Sequence, residues 1–162
     1  MFRSINMNEQ GFSISPLDVP SYFSFQYPYI FVDSIEKVIP GKEAIGIKNF
    51  TWNEWFFPVH FPDEPMVPGN LIAEAMGQVL GFTVQAMQGN RKKKAYLIAT
   101  DKLRLLNKVR PGDVLRTEAT VTSFKRGILV GHCKATANGK TVAVADISLL
   151  VEGVEVLKPV NK

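Results

Sequence analysis

Cysteine is almost missing from this chain. Cys133 is the only one in 162 residues, so no internal disulfide can form, and the composition fits a reducing compartment. Histidine is nearly as rare, with only His60 and His132. Long apolar runs are also lacking. No stretch approaches about 18 residues, which excludes a transmembrane helix. The first residues mix Arg3, Asn6, Asn8, Glu9 and Gln10 with single apolar side chains and hold no signal-peptide core. A cytoplasmic protein without a membrane partner is expected. Internal repeats, low-complexity tracts and interdomain linkers are missing too.

The remainder is ordinary globular material. With 46% hydrophobic and 21% charged residues, the chain can bury one real core. Residues 1–21 contain Gly11, Pro16 and Pro20 without sustained periodicity and read as an extension, partly ordered at most. Residues 22–162 read as a single domain. The net charge of +4 is a mild bias toward an acidic partner. The densest basic run, Arg91 to Lys94, follows the Gly89-Asn90 stop signal and reads as a solvated loop. Nucleic-acid binding is not expected, because the N-terminal extension with its prolines cannot supply a helix-turn-helix.

Hydrophobic periodicity orders the chain. Residues 22–29 are aromatic-rich and read as a turn or short helix ending before Pro28. Ile30 to Val38 and Lys42 to Phe50 read as strands around the Pro40-Gly41 turn. One long helix is expected from Gly69 to about Gln88, apolar around most of its circumference. Ala95 to Thr100 is a short strand, followed by a mixed segment from Asp101 to Val109. Three strands then follow, Val114 to Lys125, Ile128 to Ala137 and Lys140 to Val151, joined at Arg126-Gly127 and Asn138-Gly139. The expected fold class is α+β: an antiparallel sheet wrapped around one buried helix.

Chemistry concentrates in residues 56–78. His60 lies in a loop stiffened by Pro58, Pro62, Pro65 and Pro68. Histidine exchanges its proton near neutral pH, and a positioned base needs a rigid support. Pro68-Gly69 opens the helix, so free backbone N–H groups and the positive end of the helix dipole meet at a residue without a side chain. That is oxyanion geometry. At 100° per residue from Asn70, Gly81 falls at about 20°, Glu74 at about 40°, Gln85 at about 60° and Gln78 at about 80°. These polar and small residues share one narrow stripe that carries no Lys or Arg. A base, a carboxyl group and an oxyanion donor together suit proton abstraction beside a carbonyl, with elimination or hydration at the neighbouring carbon.

The stretch His60-Phe61-Pro62-x-x-Pro65-x-x-Pro68-Gly69-x-Leu71-Ile72-x-Glu74-Ala75-Met76-x-Gln78 resembles the signature of the 3-hydroxyacyl-[acyl-carrier-protein] dehydratases of the FabZ/FabA type. Tyr27-Pro28-Tyr29 through Asp33, and Asp101 to Asp113 with Arg104 and Pro111-Gly112-Asp113, are similar to two further segments of that family. The resemblance spans residues 22–152. It implies the hot-dog fold, no metal and no cofactor. It also implies a homodimer, often a trimer of dimers, with His60 and Glu74 of each site contributed by different subunits. In that family's mechanism His60 removes the α-proton of a 3-hydroxyacyl thioester held on acyl carrier protein. The Gly69 amide polarises the carbonyl, and Glu74 helps the β-hydroxyl leave as water, giving a trans-2-enoyl thioester. Gln78 orients the carboxylate, Phe61 neighbours the base, and Met76, Leu80 and Tyr96 are expected on the acyl tunnel. An acidic carrier gives Arg91–Lys94 and Lys125-Arg126 a use as a basic rim.

Three positions depart from the pattern. Val59 stands where the family has glycine and is expected to crowd the pocket mouth. Asn70 replaces an apolar residue or cysteine after Gly69, and Phe25 replaces a histidine. Together they point to a dedicated acyl or polyketide-like substrate. Two other readings stay open on the sequence alone: a hot-dog thioesterase, and a non-catalytic acyl-binding protein.

Overall fold

The computed structural model describes residues 10–154. Residues 1–9 of the expected extension and 155–162 of the expected domain lie outside the described residues. One helix, α1 (Gly69–Gln85), packs on a seven-stranded antiparallel sheet. The strands are β1 (Phe12–Ile14), β2 (Ser34–Ile39), β3 (Glu43–Asn49), β4 (Ala95–Leu105), β5 (Val114–Lys125), β6 (Ile128–Ala137) and β7 (Lys140–Val151). Their order in space is β1-β2-β3-β5-β6-β7-β4. The α+β expectation holds.

The β5–β6 and β6–β7 hairpins end where the turn chemistry places them. Arg126 and Gly127 have φ of 53° and 78°, and Asn138 and Gly139 have φ of 51° and 72°. Two consecutive positive φ values match the right-handed strand twist in a two-residue turn. The ladders close at Lys125 with Ile128 and at Ala137 with Lys140.

Small inward residues let the helix approach the sheet. Ala119, Cys133, Ala135, Ala143 and Ala145 are all buried beneath it. At Gly131 a methyl group would collide with the Leu80 side chain, and at Gly46 with Val79. Fourteen of the 17 residues of α1 are buried. The three that are not, Gly69, Asn70 and Glu74, all belong to the candidate site.

Four segments differ from expectation. The helix ends at Gln85, because after the last regular bond, from the Ala86 amide to Phe82 O, the Met87 amide tightens onto Val84 O; Gly89-Asn90 lies in the turns beyond. Strand β2 begins at Ser34 rather than Ile30, since the Phe31 amide is taken by the Gln78 side chain at 2.8 Å. Strand β4 runs unbroken to Leu105, absorbing a register shift between Asp101 and Arg104 with Lys102 at φ 52°. Of the turn or helix expected over residues 22–29, the turn forms, closed by the Tyr29 amide on the Gln26 carbonyl at 3.0 Å and so including Pro28, with a 3-10 turn upstream at Val19–Ser21. Within the segment read as an extension, β1 pairs with β2, and Ile14 and Val19 enter the core.

Candidate active site

The proline loop is pinned at both ends. Phe56 and Phe57 are fully buried, and the Val67 amide bonds the Val109 carbonyl at 2.8 Å. Between them the His60 amide donates to Phe56 O at 2.9 Å, and the Met66 amide donates to His60 O at 2.9 Å. Glu64 ties the outer face to Lys108 at 2.7 Å and Arg110 at 3.2 Å. Those two cations, Lys108 foremost, hold the Glu64 carboxyl below its ordinary value. The His60–Phe61 and Tyr27–Pro28 peptide bonds are cis.

His60 is half-buried and stacks on Phe61 with ring centroids 4.2 Å apart. Its Nδ1 lies 3.1 Å from the Met66 carbonyl oxygen. A carbonyl can only accept, so Nδ1 carries a proton, and in the neutral imidazole the lone pair is then on Nε2. The loop therefore sets the tautomer that a base requires.

The helix begins directly after this loop, with Pro68 as its cap. Pro68 O accepts from the Leu71 and Ile72 amides. The Gly69 and Asn70 amides have no acceptor among the described residues. A methyl group at Gly69 would run into the Leu105 side chain, so the bare backbone is what leaves this helix end open.

One turn further on, Glu74 is held by Gln78. Gln78 Nε2 donates to Glu74 Oε1 at 2.9 Å and to the Tyr29 carbonyl at 2.8 Å, while its Oε1 accepts from the Phe31 amide. The Tyr29 hydroxyl faces the same carboxylate. Burial first, and the Glu74 charge second, push that phenol above its ordinary range, so it stays protonated toward Glu74. Glu74 and Gln78 lie along a groove of about 290 Å³. Its other walls include Phe25, Gly81, Gln85 and Tyr96.

The structure brings Glu74, Gln78 and Tyr96 together on this groove. His60 is not on its wall within one chain. Met76 and Leu80 are fully buried and do not line it. On the helical wheel they fall at about 240° and 280°, across the helix from the Glu74 stripe, and face the sheet instead. Val59 is 64% exposed and Phe61 47%; Val59 is not on the wall of the Glu74 groove. Asn70 is exposed beside the open amides. Sequence reasoning does not single out the Tyr29 side chain, although the Tyr-Pro segment is its signal; it places Gln85 on the polar stripe without giving it a role. Among the described residues no cluster of His, Cys, Asp and Glu is placed to hold a metal ion. Cys133 is buried, and burial pushes its thiol up to about 12 with Asp146 adding to the shift, so it is no nucleophile.

A sheet wrapped around one buried helix, with a histidine loop feeding the helix start, defines a protein of the hot-dog class. The family model for the FabA-like domain matches residues 25–146. The 3-hydroxyacyl-[acyl-carrier-protein] dehydratase FabZ of Halalkalibacterium halodurans is 38% identical over 135 residues, covering 83% of this chain and 96% of that protein. The FabZ of Syntrophotalea carbinolica is 41% identical over 132 residues, covering 81% and 90%. The chain belongs to the FabA-like family of 3-hydroxyacyl-[acyl-carrier-protein] dehydratases. Among solved structures, the dehydratase heterocomplex ApeI:P of Xenorhabdus doucetiae superposes with a TM-score of 0.72 at 13% identity, over 82% of this chain and 90% of that one. A hypothetical thioesterase of Streptococcus pneumoniae, solved with coenzyme A, superposes at 0.56 and 16% identity, over 75% and 90%. These two likenesses concern the fold alone.

Proposed function

We propose that this chain is a hydro-lyase that converts a 3-hydroxyacyl thioester on acyl carrier protein to the trans-2-enoyl thioester. The observation that carries this reading is Glu74, a carboxylate fixed by Gln78 at the side of a mainly apolar groove. A hydrolase would need only a carboxylate and water. Here a histidine with Nδ1 tied and Nε2 open, and two open amides at a helix start, complete an elimination set. His60 Nε2 takes the α-proton, and the C–H electron pair becomes the double bond. Negative charge gathering on the thioester oxygen meets the Gly69 amide. The β-carbon–oxygen bond breaks, and the hydroxyl, oriented by the Glu74 carboxylate, takes the proton now on His60 Nε2 and leaves as water, which returns both side chains to their starting states.

Because His60 is not on the Glu74 groove of its own chain, the site is completed by a second copy. Strand β4 supports that pairing. It is an edge strand, and Leu97 and Ile98 on it are 44% and 51% exposed. A long apolar edge left open is an aggregation hazard, and pairing it removes that hazard. A homodimer follows, with a trimer of dimers as the larger assembly. The acidic carrier would approach over Lys92, Lys94 and Lys125-Arg126; Arg91 and Lys93 already bond Tyr22 and the Gly153 carbonyl. Among the described residues no helix is long and apolar enough to cross a membrane, and a cytoplasmic site of action fits the carrier-bound substrate.

The direct test follows enoyl absorbance from a 3-hydroxybutyryl thioester, and the reverse hydration of crotonyl thioester. Wild-type protein should turn over, and His60→Ala should lose on the order of 10²–10⁴-fold. Turnover that survives His60→Ala, or release of free thiol in place of enoyl product, sinks the reading.

A further inference from the structure

Helix α1 carries a third polar side chain to the same groove, three turns beyond Glu74. Gln85 is 2% exposed and lies on the groove wall with Gly81 and Ala95. Its Nε2 donates to the Lys93 carbonyl at 3.3 Å. That carbonyl fixes the amide's orientation, since an oxygen turned toward it would be repelled. Gln85 Oε1 is therefore turned away, and it is the one buried side-chain polar atom without a hydrogen-bond partner among the described residues. It lies over Gly81, where a methyl group would come to 3.9 Å from it.

An unmet buried acceptor carries a desolvation cost that a leucine or methionine at this position would avoid. A groove meant only for a plain alkyl chain gains nothing from it. Glu74 and Gln85 are 11 residues apart in the sequence, which returns them to within about 20° of one face with a rise of about 16 Å. An all-trans chain with bonds of about 1.5 Å spans that distance with roughly a dozen carbons.

We propose that Gln85 Oε1 is a specificity subsite that accepts a hydrogen bond from the acyl group. The donor is a hydroxyl or an amide N–H carried roughly a dozen carbons from the reacting centre. The proposal rests on the acyl-thioester reading of the groove and names the substrate class within it: a long acyl chain functionalised near its far end.

The test uses binding, so that it does not depend on turnover. Saturated acyl N-acetylcysteamine thioesters of about ten to about sixteen carbons are titrated calorimetrically against the full chain. Each length is offered with a methyl, a hydroxyl or a carboxamide terminus. At one length in the series the hydroxyl or carboxamide form should bind about tenfold tighter than the methyl form. Gln85→Leu and Gln85→Met should each abolish that preference. Methyl-ended chains binding as tightly at every length would overturn the proposal, as would a preference that survives both substitutions. Dehydration of the short 3-hydroxybutyryl thioester by wild-type protein does not reach Gln85. Its failure would count against the dehydratase reading and leave the binding comparison intact.

Discussion

Gln78 lies one helical turn after Glu74 and holds its carboxylate at 2.9 Å. The same side chain closes hydrogen bonds to the Tyr29 carbonyl and the Phe31 amide, so it joins the helix to the segment entering β2. Gln78→Met keeps the volume and removes all three bonds. The expected loss of stability is on the order of 2–4 kcal/mol, because two backbone groups lose their partner as well as the carboxylate. Urea denaturation measures it. Turnover of a short thioester should fall further than stability explains, since Glu74 then keeps only Tyr29 beside it. Unchanged turnover in a stable Gln78→Met protein would show that the clamp is structural alone.

This clamp shows how far the sequence reaches. The stripe of Glu74, Gln78, Gly81 and Gln85 is legible from helical geometry, and it is the groove wall. The β5–β7 hairpins are legible because turn residues that tolerate positive φ announce themselves. Met76 and Leu80, expected on the tunnel, face the sheet. A helix apolar nearly all round carries no label for which side meets a ligand, and the wheel angle is the only clue. The unbroken β4 is hidden by its bulge at Lys102, where charged residues interrupt the alternation. The open oxygen of Gln85 depends on where the Lys93 carbonyl lies, which no local pattern encodes.

Gly69 separates a steric effect on chemistry from one on folding. In Gly69→Ala the added methyl meets Leu105, a side chain 51% exposed at the end of β4 that can swing aside. Stability should therefore change by less than about 1 kcal/mol. Alanine keeps the amide N–H, so the expected activity loss, on the order of 10²-fold, comes from the methyl obstructing the carbonyl's approach to that donor. Thermal melting and kcat/KM measured on the same preparation check both halves. A large melting loss would place the role of Gly69 in packing.

Cys133 should resist alkylation in the folded protein. Its thiol is pushed up to about 12, chiefly by burial, so the reactive thiolate is scarce near neutral pH. Iodoacetamide labelling followed by mass spectrometry should show modification only after denaturant is added. Rapid labelling of the native state would mean that the β6 face opens readily.

Glu64 gives the loop an acid limit. Lys108 and Arg110 hold its folded-state carboxyl below the usual value of 4.5. A carboxyl depressed in the folded state contributes stability above its unfolded pKa, and that contribution is lost as pH falls through the folded one. Glu64→Gln should thus lower the melting temperature slightly near neutral pH. The gap to wild type should close as pH falls past 4.5 and through the lower folded-state value. The pair is exposed, so the effect is small and screened by salt. Melting curves across that range, at low and high salt, decide it; a gap that widens in acid would contradict the assignment.

The proposed sharing of each site between two chains makes the sharpest prediction. His60→Ala and Glu74→Ala are each expected to be inactive as homodimers, because every site then lacks one group. A mixed dimer holds one doubly damaged site and one intact site, provided that His60 and Glu74 come from different chains. Random mixing makes half of the dimers mixed, so co-refolding equal amounts should restore about a quarter of wild-type activity. If both residues served one chain's own site, no mixture would recover anything. Differently tagged chains, purified through both tags, should carry about half of wild-type activity per dimer. Inactive double-tagged dimers would place the whole site within one chain, and catalysis would then require no pairing along β4.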